Sequence, residues 1–155
     1  MGPLFSDRQQ KRVLDYIDSA RAEGASVAAG GAAVGHQGYF VAPTILRDVK
    51  PHMRVLREEI FGPVLVATAV TDLDELAALA NDTIYGLSAS IWTRDISSAY
   101  KLAKKIRAGT VTINSGSIVG PNIPFGGFKQ SGWGRENGAE GIESFTELKT
   151  VITAL

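Results

Sequence analysis

Two adjacent glutamates, Glu58 and Glu59, are the residues whose type and setting best suit a binding or chemical task. They lie in the run Arg-Glu-Glu-Ile-Phe-Gly-Pro at residues 57–63, where an aromatic residue, a glycine and a proline follow the acids. Adjacent acids on a protein surface are most often simply solvated. A loop whose backbone is constrained, however, can aim a side chain at a ligand. The pair is therefore a candidate binding site, with a solvated pair as the alternative.

A glycine-rich segment between Gly109 and Gly141 is the second candidate, because glycine loops can hold phosphate groups. The segment contains no Gly-x-x-x-x-Gly-Lys-Ser/Thr run, and Gly132-Trp133-Gly134 is followed by a glycine one residue too late for a dinucleotide fingerprint. The pattern favours a loop whose backbone turns sharply or approaches another surface closely.

The residue types in this chain give little support for a metal site or a catalytic nucleophile. The chain has no cysteine, which excludes disulfides, thiolate metal sites and a cysteine nucleophile. Its two histidines, His36 and His52, have no partner at ligand spacing, so we expect no metal site. A Ser-His-Asp arrangement is not excluded by residue counts, but no Gly-x-Ser-x-Gly motif supports one.

The overall composition is that of a globular protein of one domain. The chain has 155 residues, 45% of them hydrophobic, and its 16 basic residues balance 16 acidic ones. Nucleic acids and anionic membranes both require clustered Lys and Arg, so we expect neither as a partner. No apolar run approaches the ~20 residues that span a bilayer, and the N-terminus has no signal-peptide pattern. A cytoplasmic location is the resulting expectation.

The elements that must position the candidate residues alternate between helix and strand. Ser6 and Gln9 have the spacing of a capping box, in which each side chain satisfies a free backbone N–H, and they predict a helix over residues 6–23. The following glycine-rich residues 27–38 are predicted to be a loop. Asp72 and Asp95 are predicted to cap two further helices.

Strands are predicted at residues 39–46, 63–70, 87–93 and 110–114. The order strand, helix, strand, helix, strand between residues 63 and 114 predicts two right-handed βαβ crossovers and a parallel sheet, and therefore an α/β fold. A short helix is predicted at residues 139–145, and the alternating tail at residues 147–155 is predicted to be a final strand.

The chain resembles the aldehyde dehydrogenase superfamily in several motifs that occur in the family's order and spacing. They are Glu-Glu-Ile-Phe-Gly-Pro-Val at 58–64 (family E-E-x-F-G-P-V), Asn-Asp-Thr-Ile-Tyr-Gly-Leu at 81–87 (N-x-x-x-Y-G-L), Gly-Thr-Val-Thr-Ile-Asn at 109–114 (G-x-V-x-x-N) and Pro-Phe-Gly-Gly-Phe-Lys-Gln-Ser-Gly at 124–132 (P-F-G-G-x-K-x-S-G). The likeness extends over essentially the whole chain. The sequence is therefore identified as a C-terminal fragment of an NAD(P)-dependent family member, without the catalytic cysteine.

This resemblance implies a fold and a division of the chain. Residues 1–145 would be the C-terminal part of the family's catalytic domain, a three-layer α/β structure with a mostly parallel sheet and crossover helices. Residues 146–155 would form a strand for oligomerisation, so a homo-oligomer is expected.

The resemblance also implies roles for individual residues. The position of Glu59 hydrogen-bonds the hydroxyls of the nicotinamide ribose, and that of Phe61 packs near the nicotinamide ring. Ile118, Val119 and Phe125 match positions that line the aldehyde tunnel. NAD, or NADP, is thus implied as cofactor, with weak or no binding by this chain alone, because the family's Rossmann domain lies upstream. Residues 115–125 contain no charged side chain, which favours uncharged aldehydes.

The activity implied for the parent protein is oxidation of an aldehyde to a carboxylic acid with NAD(P)+. The family's nucleophilic cysteine lies shortly before the position where this chain begins, and its general-base glutamate lies further upstream. We therefore expect no catalytic residue in this chain and no activity of the chain alone. The alternative is a free-standing binding or oligomerisation module that has the family's fold without its chemistry.

Overall fold

The computed structural model describes residues 1–35, 37–116 and 120–155. The chain divides into two compact units, Met1–Ala69 and Val70–Leu155. This boundary falls inside the βαβ series that the sequence predicted as one parallel sheet. In place of that sheet, the described residues form three small sheets, one of them with both parallel and antiparallel strands. The α/β class is confirmed, whereas a single mostly parallel sheet is not found in the described residues.

Helix α1, Asp7–Ala22, supplies four of the eleven buried residues in the core of the first unit, more than any other element. The Ser6 hydroxyl oxygen accepts a hydrogen bond from the Gln9 backbone N–H at 3.2 Å, which confirms the predicted N-cap. The other half of the predicted capping box, a bond from the Ser6 N–H to the Gln9 side-chain oxygen, is not found in the described residues, and the Gln9 side-chain nitrogen donates to the Phe61 carbonyl. One face of the helix, with Val13 and Ile17 fully buried, packs into the core.

The first unit contains a three-stranded sheet and a two-stranded one. The first has the order β1-β4-β5, in which β4 is antiparallel to β1 and parallel to β5; the second pairs β2 with β3 in antiparallel fashion. The strands are β1 Ser26–Ala29, β2 Ala33–Val34, β3 Phe40–Val41, β4 Thr44–Arg47 and β5 Val64–Val66.

Two of the predictions for this region are wrong. The segment predicted as a loop contains β1 and β2, because both strands find their partners further along the chain. The strand predicted at 39–46 is broken at Pro43, which lacks the N–H that a continuous ladder needs. Its two parts, β3 and β4, join different sheets.

One short element of the first unit was not predicted. Helix α2, Arg54–Arg57, is a single turn that follows Pro51, between the strands predicted at 39–46 and 63–70. Met53 and Val55 bury their side chains in the same core as α1 and thereby fix this turn. The loop that follows α2 carries both candidate glutamates.

The second unit contains the helices α3 Leu73–Asn81, α4 Ile96–Lys105 and α5 Gly138–Glu143, and the strands β6 Ser88–Ile91 and β7 Thr110–Ile113. Strands β6 and β7 are parallel and are joined through α4, which confirms the second of the two predicted crossovers. Asp72 and Asp95 cap α3 and α4 through their carboxylates, as predicted. Ile91 and Leu102 lie in the small core between sheet and helices.

The tail, predicted as a strand for oligomerisation, has no assigned strand at residues 147–155. All nine of these residues are exposed, among them the apolar Leu148, Val151 and Ile152. Within the described ranges, none of the helices combines the length and apolar character that crossing a bilayer requires.

Candidate functional site

Residues 58–62, which we call the glutamate loop, connect α2 to β5 and line a cleft of about 380 Å³ in the first unit. Glu59 and Phe61, the two residues predicted to contact the cofactor, both line this cleft. Ile60 between them is only 8% exposed and belongs to the core. The ring of Phe61, in contrast, is 73% exposed. The buried Ile60 therefore anchors the loop, while its two neighbours face outward.

The two adjacent glutamates have different surroundings. The Arg54 guanidinium donates to both carboxylate oxygens of Glu58, each at 3.2 Å, and the Tyr16 hydroxyl donates to one of them at 2.7 Å. The Glu59 carboxylate has no hydrogen bond or ion pair to any residue in the described part of the chain. Glu58 is therefore a structural residue, and Glu59 is the acid whose oxygens are available to a ligand.

The charge state of Glu58 reflects these contacts. Hydrogen bonds from Arg54 first and from Tyr16 second hold the pKa of this carboxyl below its usual value of 4.5. Arg54 also lies over the Tyr16 ring, with its guanidinium carbon 4.7 Å from the ring centroid. These three side chains form a network that ties α1, α2 and the glutamate loop together.

The backbone of the glutamate loop lies against α1. A Cβ atom on Gly62 would stand 2.5 Å from a Val13 methyl group, so the chain comes closer to the helix here than any other residue would allow. Arg12 donates to the carbonyl oxygen of Glu59 at 3.0 Å, and Gln9 donates to that of Phe61 at 2.7 Å. Phe61 itself has a φ of 59°, in the left-handed region that a phenylalanine seldom adopts.

Of the three residues predicted to line the substrate tunnel, only Phe125 can be placed. Ile118 and Val119 lie outside the described residues. Phe125 is half-buried and forms an antiparallel bridge with Glu136, with N···O distances of 2.8 and 2.7 Å. It lines a cleft of about 910 Å³ in the second unit, together with Trp133 and Phe145. Phe125 thus forms part of a largely apolar wall.

The glycine-rich segment approaches its surroundings closely, as the sequence predicted. A Cβ atom on Gly109 would overlap the carbonyl oxygen of Gly126. The Lys129 ammonium donates to the carbonyl oxygens of Asn81 and Thr83, at 2.8 and 3.0 Å. The motif residues in this segment therefore hold backbone in place, and their polar groups are used within the protein.

The remaining candidates are the side chains that could bind a metal ion. No group of three His, Cys, Asp or Glu residues that could hold a metal ion is found where the chain is described. His52 is exposed on the surface of the first unit, and His36 lies outside the described residues.

The Glu58 network predicts a pH-dependent effect of Glu58→Gln, which removes the charge that Arg54 and Tyr16 bind. Because the folded-state pKa is lowered, the carboxylate stabilises the fold above its usual value of 4.5 and loses this effect as the pH falls through the lowered value. Urea unfolding should therefore show a less stable variant at neutral pH and a shrinking difference from the parent chain in acid.

The matched control is Glu59→Gln, which makes the same change at a carboxylate that has no partner among the described residues and should leave stability at neutral pH unchanged. A Glu58→Gln effect of the same size at every pH would show that the charge does not contribute.

Comparison with known proteins finds similarity to one family along nearly the whole chain. The sequence model of the aldehyde dehydrogenase family matches residues 1–151. The chain is 49% identical over 151 residues to a mitochondrial aldehyde dehydrogenase of Leishmania tarentolae. The aligned region covers 97% of this chain and 30% of that protein. The chain is 45% identical over 154 residues to aldehyde dehydrogenase 1A1 of Oryctolagus cuniculus, covering 99% of this chain and 31% of the relative.

Among solved structures, the NAD+ complex of an aldehyde dehydrogenase from Bacillus cereus matches with a TM-score of 0.90 and 47% identity, over 97% of this chain and 31% of that one. The chain thus spans about 30% of the length of these relatives. With a family match over nearly all its residues and close likeness in both sequence and fold, this chain belongs to the aldehyde dehydrogenase family.

Proposed function

We propose that this chain is part of an NAD(P)-dependent aldehyde dehydrogenase, in which it supplies contacts to the nicotinamide half of the cofactor and to the aldehyde. The observation that supports the proposal is the arrangement of side chains on the glutamate loop. It places the Glu59 carboxylate, which has no partner among the described residues, beside the exposed ring of Phe61 in one cleft. The solved relative from Bacillus cereus is a complex with NAD+.

The chemistry of the two side chains suits a nicotinamide riboside. A carboxylate can accept hydrogen bonds from two neighbouring hydroxyl groups, as a ribose offers them. The flat face of Phe61 can pack against a flat aromatic ring. When bound, the nicotinamide ring accepts the hydride that leaves the substrate. Glu59 and Phe61 would hold that ring in place, and neither takes part in bond breaking.

The substrate side of the proposal rests on Phe125, together with Ile118 and Val119. Phe125 contributes an apolar surface to the cleft of the second unit. The stretch 115–125 has no charged side chain that could pair with a charged substrate group. Uncharged aldehydes are therefore the proposed substrate class of the parent enzyme.

The chain itself is expected to be catalytically inactive. The chemistry implied by the family begins with attack of a thiolate on the aldehyde, and this chain has no cysteine to provide one. The purified 155-residue chain, mixed with NAD+ and an aldehyde, should form no NADH by absorbance. NADH that increases in proportion to added aldehyde would contradict this expectation.

Binding of NAD+ provides the direct test of the glutamate loop. Amide chemical shifts of residues 59–62 and of Val64 should move on addition of NAD+, although weakly, because this chain would contact only part of the cofactor. Glu59→Gln should weaken the affinity by roughly 10-fold, the usual effect of losing a hydrogen bond to a charged group. The control is Glu143→Gln, the same change at another exposed glutamate, which should not alter affinity. Equal affinities of all three proteins would rule out the proposed role of Glu59.

A second candidate function is that of a non-catalytic association module, and exposed apolar surface favours it. Ile45 and Leu65 are paired across β4 and β5, and both are exposed, whereas Leu46 on the opposite face is fully buried. Parallel strands are normally covered on both faces. Together with the apolar tail, this surface predicts that the chain forms homo-oligomers.

Light scattering over a range of concentrations should therefore give a mass above that of the 16.5 kDa monomer. A Leu65→Glu variant should lower the mass if the sheet face is the interface. A strictly monomeric parent chain at high concentration would contradict the proposed association.

A further inference from the structure

We propose that Asn137 is a site of spontaneous covalent modification, and that a hydrogen bond of the next residue, Gly138, controls how fast it reacts. Asparagine followed by glycine is the pair in which a side-chain amide most readily closes on the following backbone nitrogen, because glycine has no side chain to shield that nitrogen. The chain has four asparagines, and Asn137 is the one that precedes a glycine. Both residues line the cleft of the second unit, together with Phe125.

The reaction needs no reagent other than water. The Gly138 nitrogen, after losing its proton, attacks Cγ of the Asn137 amide and forms a new C–N bond, which closes a succinimide ring. The bond from Cγ to Nδ2 breaks, and Nδ2 takes up the proton and leaves as ammonia. Water then opens the ring at one of its carbonyl carbons. The product is aspartate, or isoaspartate when the backbone continues through the side-chain carbon.

The backbone conformation requires this labile pair. Asn137 has a φ of 59° and Gly138 a φ of 63°, so two successive residues are in the left-handed region. Glycine adopts this region without steric cost, and asparagine does so more readily than most other residues with a side chain. A Cβ atom on Gly138 would also lie 3.0 Å from a ring carbon of Pro124. Exchange of either residue therefore strains the backbone, which accounts for a chemically unstable pair at this place.

The two reacting groups are held differently. The Asn137 side-chain amide has no hydrogen bond to any residue in the described part of the chain, so it can turn towards the next peptide group. The Gly138 N–H, in contrast, donates to the carbonyl oxygen of Pro121 at 2.9 Å. The nitrogen has to leave this acceptor before it can lose its proton and attack. The reaction rate should therefore follow the fraction of molecules in which this bond is open.

Asn114, which precedes Ser115, provides a comparison within the same chain. Its backbone is also left-handed, with a φ of 53°. Its amide nitrogen donates to the Thr93 carbonyl oxygen, and its amide oxygen accepts from the Thr93 N–H, each at 2.8 Å. This side chain is fixed through both of its polar atoms, and the serine side chain shields the following nitrogen. We therefore expect Asn114 to stay intact under conditions in which Asn137 reacts.

The modification changes the charge of the segment that holds Phe125. A carboxylate at position 137 adds a negative charge directly after Glu136 and close to Glu140, whose carboxylate oxygen would lie 2.9 Å from a Cβ atom on Gly138. Like charges at such short range repel each other. Glu136 in turn forms the antiparallel bridge to Phe125. The reaction at Asn137 should therefore loosen this part of the cleft wall.

The experiment follows the full 155-residue chain during incubation at mildly alkaline pH and physiological temperature, in native buffer and in concentrated urea. Trypsin, which cuts after Lys and Arg, releases residues 136–149 with Asn137 as their only asparagine. The peptide of residues 108–129 contains Asn114 and one other asparagine. The mass gain of each peptide measures conversion of amide to acid, fragmentation locates the changed residue, and isoaspartyl methyltransferase identifies isoaspartate.

A Pro121→Gly variant tests the hydrogen bond itself, because it frees the backbone that carries the acceptor carbonyl. Pro3→Gly makes the same change at an exposed residue of the first unit and is the matched control. We expect Asn137 of the parent chain to convert faster in urea than in native buffer. Conversion in native buffer should be roughly 3- to 10-fold faster in Pro121→Gly, as for the loss of one hydrogen bond, and unchanged in Pro3→Gly.

Hydrogen exchange of the Gly138 amide in the unmodified parent chain measures the open fraction independently. Three results would each overturn the proposal: equal conversion of Asn137 in native buffer and in urea, earlier conversion of Asn114 in native buffer, or a Gly138 amide that exchanges without protection. A folded Pro121→Gly variant with the rate of the parent would contradict it as well. If circular dichroism shows that Pro121→Gly is unfolded, the comparison of native buffer with urea and the hydrogen exchange decide without it.

Discussion

The close approach of the glutamate loop to α1 is the contact on which the candidate cofactor site depends. Gly62 lies so near Val13 that no side chain fits between them, and Ile60 fills the core beside it. With the backbone held at these two points, the side chains of Glu59 and Phe61 have to face the cleft. A helix that contributes no atom to the proposed ligand contacts therefore determines where those contacts lie.

The second unit uses the same kind of contact. Gly109 lies against the carbonyl of Gly126, and Lys129 uses its ammonium group on two carbonyl oxygens of a neighbouring segment. Ser131 accepts a hydrogen bond from the backbone N–H of Gly86, which links two of the motifs that carry the family resemblance. Several residues of these motifs thus hold backbone segments against each other, so these positions identify a fold more directly than they identify chemistry.

Features that depend on neighbouring residues were predicted well from the sequence, because their hydrogen bonds form within a few positions. The caps at Ser6, Asp72 and Asp95 are examples. The partners of β1 and β2, and the pairing of β5 with β4, depend on distant residues and were missed. The Gln9 side chain shows the limit most clearly, since its spacing from Ser6 suggested a local cap and its actual partner is in the glutamate loop.

The sequence also could not predict which of the two adjacent glutamates is bound within the protein. That difference arises because Arg54 and Tyr16 donate hydrogen bonds to Glu58. It also bears on function. The Glu58 carboxylate is bound by Arg54 and Tyr16, whereas the Glu59 carboxylate has no hydrogen bond in the described chain, and Phe61 combines an exposed ring with a strained backbone. Backbone strain persists only where the surrounding structure holds it and is common at binding sites, and an exposed carboxylate that is not used within the protein can accept hydrogen bonds from a ligand. Both features occur within three residues of one cleft, which favours a binding role for this loop over a purely structural one.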